Sequence, residues 1–274
     1  MGETLKRALF GSLFVAIVVI ACLHSYFSLF GLMALVSTIG LYEWLKLQGI
    51  DSVTNLILSF MLNYMILGWG RPLLIQLNIG SSTVAIGQMS LVLFVLFIII
   101  LIKHKTEATT VISGIIGGLV LISIPCLLLL RMKIPEIDGY SFKLPLLVFI
   151  LVWLSDTMAY VFGRLMGKHK LFEVLSPKKT IEGWIGGAVF TGIGAMYLFH
   201  LWSIGPLWQG AILGILIAVF GVFGDLYISS LKRKVAVKDT GNIIPGHGGI
   251  LDRFDAFFFA VPISYAWLAF TSIL

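Results

Sequence analysis

The chain has 274 residues, of which 59% are hydrophobic and 12% charged, a formal net charge of +6, and a mean hydropathy of +1.03. A soluble domain would carry about a quarter of its residues as charges, so this composition excludes one and points to a membrane protein. Apolar runs of ~18 or more residues recur from end to end, as helices that cross a bilayer require.

In chain order, Lys6 and Arg7 precede "ALFGSLFVAIVVIAC", which has the outline of a secretory signal with a lipoprotein-like Cys22. A second apolar run follows at once, so an uncleaved first span in a helical hairpin is the reading adopted. Nine spans are expected near residues 8–26, 28–46, 54–70, 83–102, 110–130, 144–165, 181–201, 207–229 and 254–273. The third, "NLILSFMLNYMILGWG", barely reaches the usual length. With the N-terminus inside, fifteen of the 19 Lys and Arg fall on inner segments; the other four are Arg71, Arg131, Lys133 and Lys143. The positive-inside rule therefore predicts an all-α polytopic protein with a cytoplasmic N-terminus and, after nine spans, an outside C-terminus. Loops 166–180 and 230–253 then share the cytoplasmic face, and 131–143 is an outer turn.

Gly114 and Gly118, Gly183 and Gly187, and Gly210 and Gly214 stand four apart and predict close helix contacts. The two cysteines, Cys22 and Cys126, lie in apolar runs and suggest neither a disulfide framework nor a metal site. There is no internal repeat, low-complexity segment or linker. The organisation expected is an N-terminal group of about five spans (1–130) serving packing and dimer contacts. A catalytic region of four spans and two polar loops (131–274) follows.

Charges inside such helices are costly, which makes them functional candidates. Asp156 and Asp225 lie within apolar sequence, Glu182 opens the seventh span, and Asp252 and Asp255 open the ninth. Asp225, Ser229 and Lys232 share a helical face, as do Asp252 and Asp255. Carboxylates delivered by two spans to one depth suit Mg²⁺, which takes one or two carboxylates plus phosphate oxygens. Ion pairs of Asp225 with Lys232 and of Asp252 with Arg253 are the alternative, though they leave Asp156 and Asp255 unexplained. In "SPKKTIEG", Ser176 and Pro177 read as the N-cap and first residue of a helix. Lys178 and Lys179 would then sit at its positive end, where an anion must offset them, unless they only anchor the inner face. His247, among Gly246, Gly248 and Gly249, reads as a phosphate donor or proton carrier rather than an ordinary loop histidine.

The stretch "SSLKRKVAVKDTGNIIPGHGGILDRFD" resembles the signature of the phosphatidate cytidylyltransferases, or CDP-diacylglycerol synthases. It meets that pattern at Ser229, Lys232, Arg233, Lys238, Asp239, Gly241, Pro245, His247, Gly248, Gly249, Asp252, Arg253 and Asp255. "SDTMAYVFGRLMGKHKL" from Ser155, "SPKKTIEGWIGG" from Ser176 and "FGD" at Phe223–Asp225 are also similar to that family. The first four spans resemble it only in hydropathy. The resemblance implies a multi-pass enzyme of the bacterial inner membrane, a homodimer whose site faces the cytoplasm. Its substrates would be CTP and phosphatidate, with no nucleic-acid partner, giving CDP-diacylglycerol and pyrophosphate with Mg²⁺; a monovalent cation such as K⁺ is left open.

On this reading Asp225, Asp252 and Asp255 hold the metal, and Lys232, Arg233, Lys238 and His247 serve catalysis. Ser155, Asp156, Ser176, Lys178, Lys179, Glu182, Ser229, Asp239, Gly248, Gly249 and Arg253 contact substrate. Two rivals are weaker. The Asp-Gly-x-x-Ala-Arg opening of the CDP-alcohol phosphotransferases is absent from the sequence. A transporter would place its charges near the midplane, with repeated halves.

Overall fold

The structure, a computed structural model, describes residues 3–69, 107–132, 141–173, 175–243 and 248–274. The expected fourth span (83–102), most of the outer turn at 131–143, and His247 lie outside the described residues. The helices are α1 (Glu3–His24), α2 (Tyr26–Leu47), α3 (Val53–Trp69), α4 (Glu107–Gly118), α5 (Ile124–Arg131), α6 (Lys143–Met166), α7 (Ile181–Trp202), α8 (Leu207–Lys234) and α9 (Leu251–Phe270). A π-turn, Leu119–Ser123, joins α4 to α5. Five helical stretches are long and apolar enough to cross a membrane: Tyr26–Leu47, Thr110–Arg131, Lys143–Met166, Ile181–Trp202 and Leu207–Lys234. The chain is thus a largely helical membrane protein. Among the described residues, each expected span coincides with a helix.

Two compact units divide the chain, residues 1–131 with 239–254, and residues 132–238 with 255–274. In the first, Ser25 separates α1 from α2 between two long apolar runs. Its hydroxyl accepts from Ser28 N at 3.2 Å, and its own N–H donates to Ser28 Oγ at 3.0 Å, a capping box that starts a new helix. Polar side chains join α2 to α3: Asn63 Nδ2 donates to Ser37 Oγ at 3.1 Å, and Thr38 Oγ1 to Tyr64 OH at 3.1 Å. Both bonds tie the short α3 to α2. The indole of Trp44 donates to Gly114 O at 2.7 Å, and a Cβ on Gly118 would strike Leu41 and Trp44.

The second unit packs α6, α7 and α8 through the expected small residues, and the body of α9 lies against α6 and α8. A Cβ on Gly183 would lie 2.6 Å from Ala159 O, and one on Gly187 3.2 Å from Ser155 O. On the other side of α7, Gly214 faces the backbone of Thr191 and Gly192. Phe149 and Phe257 stack with centroids 4.7 Å apart, and Trp267 Nε1 donates to Gln209 O at 3.0 Å.

The all-α architecture holds, and the structure corrects the reading of one short segment, the helix start expected at Ser176. Strands β1 (Lys170–Phe172) and β2 (Ser176–Thr180) form an antiparallel hairpin between α6 and α7. Ser176 is therefore not a helix cap, and Lys178 and Lys179 are not in a helical first turn. Proline's fixed φ suits a short edge strand as well as a helix start, so the Ser-Pro pair misleads. The cap is Thr180, whose hydroxyl accepts from Gly183 N at 3.1 Å. Glu182 occupies the first turn of α7, the charge sign that a helix N-terminus favours.

Candidate active site

In the second unit the polar residues gather at the C-terminal part of α8. Lys179, on β2, forms an ion pair with Asp225 Oδ2, and Ser229 Oγ donates to Asp225 Oδ1 at 3.1 Å. Lys232, buried one further turn along the same face, adds its charge to the field at Asp225. The shared face expected from helical spacing is thus real, and the hairpin supplies a second lysine to it. Gly224 lets α8 approach α9 closely, since a Cβ there would run into Asp255 O. Asp225 and Asp156 both lie within electrostatic reach of Asp255. Ser155, one residue before Asp156 on α6, is buried against α7.

Other sequence-predicted residues are placed as follows. Lys178, Arg233, Lys238, Asp239 and Arg253 are exposed. Arg233 and Lys232 lie in the last turn of α8, where cations suit the helix dipole. The helix is five residues longer than expected and closes with Ala236 at φ 55°, Val237 N donating to Lys232 O at 2.9 Å. Glu182 anchors the turn before β1: its carboxylate accepts from Lys168 N at 3.0 Å and contacts His169 Nδ1 at 2.6 Å. A substrate role expected for Glu182 therefore competes with a structural one.

In the first unit the signature loop winds around carboxylates. Asp252 Oδ2 accepts from Thr240 N at 2.7 Å and Gly249 N at 3.0 Å, and lies 3.0 Å from Thr240 Oγ1. Gly248 has φ +81°, and a Cβ on it would sit 2.6 Å from that same oxygen. The glycines were expected to open backbone amides to a ligand. In this conformation the Gly249 amide serves Asp252, and the close approach that glycine permits is to a protein carboxylate.

Sequence reasoning missed Glu43. It lies in α2, is 2% exposed, and binds three donors of the signature segment: Thr240 Oγ1 at 2.9 Å, Ile250 N at 3.1 Å and Leu251 N at 2.9 Å. An acid within an apolar span was the available signal.

Among the described residues no three His, Cys, Asp or Glu converge into a ready-made metal cage. Asp225, Asp252, Asp255 and Asp156 are nonetheless all hard oxygen donors, and Mg²⁺ needs only one or two of them when phosphate and water complete its shell. The residues present fit that ion.

The site thus joins lysines and carboxylates of a helical membrane protein, with Lys179 paired to Asp225. The family model described as the cytidylyltransferase family matches residues 5–271, and the chain belongs to that family. It is similar to the phosphatidate cytidylyltransferase of Staphylococcus saprophyticus, 52% identical over 120 residues, covering 43% of this chain and 46% of that protein. The proteins of the same name from Staphylococcus haemolyticus and Staphylococcus aureus strain COL are 50% identical over 127 residues and 48% identical over 119. Those matches cover 46% of this chain and 48% of the relative, and 43% and 46% respectively, so the chain spans about half the length of the curated relatives it matches.

Proposed function

We propose that this protein is a CTP:phosphatidate cytidylyltransferase of the cell membrane, making CDP-diacylglycerol and pyrophosphate. The observation that carries the reading is the family match across nearly the whole chain, residues 5–271. The names of the staphylococcal relatives and the Lys179–Asp225 pairing support it. Nine spans, a cytoplasmic N-terminus and an outside C-terminus belong to the same proposal, as do a homodimer and a site facing the cytoplasm.

In the reaction, a phosphate oxygen of phosphatidate bonds to the α-phosphorus of CTP, and the bond from that phosphorus to the bridging oxygen of the β-phosphate breaks. The second pKa of a phosphate monoester is about 6, so the nucleophile is already largely a dianion and needs no strong protein base. The barrier is the meeting of two polyanions and the charge left on pyrophosphate. Lys178, Lys179, Lys232, Arg233 and Lys238 neutralise those phosphates. Lys179 and Ser229 hold Asp225 in place, and Thr240 and Gly249 do the same for Asp252. Asp225, Asp252 and Asp255 are the candidates to hold Mg²⁺, whose positive charge would offset the negative charge of the phosphate oxygens. His247 contacts the triphosphate or protonates pyrophosphate. A site at the ends of apolar helices lets acyl chains stay in lipid while CTP arrives from water.

The test is pyrophosphate release by purified protein given CTP, phosphatidate and Mg²⁺. Release must need all three, stop on chelation and resume when Mg²⁺ is returned. CTP-independent uptake of an anion into sealed vesicles, without release, would replace this reading with a transporter.

A further inference from the structure

Glu43 is buried in a helix of the first unit and has no place in the chemistry above. An acid so placed is costly unless its oxygens are satisfied. All three of its donors come from a segment 197 to 208 residues further along the chain. Two of them, the amides of Ile250 and Leu251, stand at the start of α9, where a helix leaves its N–H groups without internal partners. Glu43 therefore caps α9 from another helix, with the charge sign its dipole favours. The fit is tight: a Cβ on Gly241 or Gly249 would collide with the Glu43 carboxylate.

The third donor links Glu43 to the signature. The Thr240 hydroxyl has one hydrogen, yet it lies 2.9 Å from Glu43 Oε2 and 3.0 Å from Asp252 Oδ2. Thr240 N and Gly249 N complete the grip on the same Asp252 oxygen. We propose that Glu43 is a positioning residue: it fixes Thr240 and the first amides of α9, and through them the orientation of Asp252. The consequence for turnover rests on the function proposed above; the consequence for the loop does not.

Glu43→Gln keeps the shape but turns an N–H₂ group toward backbone donors, and Glu43→Asp keeps the charge on a shorter arm. In Glu43→Gln, amide hydrogen exchange in the peptide covering 248–254 should rise about tenfold or more, with α7 peptides unchanged. Pyrophosphate release should lose ~10–100-fold in kcat, the scale seen when the partner that orients a ligand is removed, with KM for phosphatidate little altered. Glu43→Asp should recover part of both losses. Thr240→Val removes only the hydroxyl link and provides the same kcat test should Glu43→Gln fail to fold. Wild-type exchange at 248–254 in Glu43→Gln, or wild-type kcat in Thr240→Val, would overturn the proposal. If the unmodified protein released no pyrophosphate, the functional reading would fall, and exchange would still decide the role of Glu43.

Discussion

The ion pair between Lys179 and Asp225 ties the hairpin to α8, and its strength follows from its setting. The side chains are 27% and 33% exposed, so the pair lies between two limits. Exposed pairs contribute ~0.2–1 kcal/mol, and breaking a buried one costs ~3–5 kcal/mol. Ser229 continues to satisfy Asp225 Oδ1 when the lysine is lost, which favours the lower part of that range. Lys179→Met should therefore destabilise the second unit by about 1–2 kcal/mol, and in a double-mutant cycle with Asp225→Asn the coupling should be of the same size. Unfolding in detergent, followed by tryptophan emission in a background with Trp44 and Trp69 replaced by Phe, reports on this unit, since the other five of the seven tryptophans, Trp153, Trp184, Trp202, Trp208 and Trp267, belong to it. Additivity of the two single variants within ~0.5 kcal/mol would refute the reasoning.

Two further predictions concern packing. Gly214→Ala places a methyl onto the backbone of Thr191, whereas a Cβ on Gly31 meets nothing within 4 Å. Gly31→Ala should be neutral or stabilising by up to ~1 kcal/mol, and Gly214→Ala should fall ~1–3 kcal/mol below it, read as the order of their thermal midpoints. Ala236 holds a left-handed conformation at the end of α8, so Ala236→Gly should raise stability by about 1 kcal/mol by chemical unfolding.

The helices were legible because they rest on local rules, apolar length, glycine spacing and helical periodicity, whereas the signature residues were picked out by their resemblance to a family. Asp225, Ser229 and Lys232 could be placed on one face from spacing alone, and the structure puts Ser229 on Asp225 and Lys232 in its field. The hairpin was not legible. Ser176 and Pro177 fit a helix start, and what decides otherwise is pairing with residues 170–172 and the cap at Thr180. Glu43 escaped for a different reason: its partners lie nearly 200 residues away, and no local pattern connects them. The contact of Gly248 and Gly249 with Asp252 was not legible either, because it depends on how the loop folds back on the chain.

Pyrophosphate release by Asp252→Asn, compared with the unmodified protein under saturating CTP, phosphatidate and Mg²⁺, probes the heart of the proposed chemistry. The asparagine keeps the side chain's shape but lacks the charge that would grip the cation. Turnover should vanish while the variant remains folded and monodisperse. Turnover at the unmodified rate would contradict the role given to Asp252.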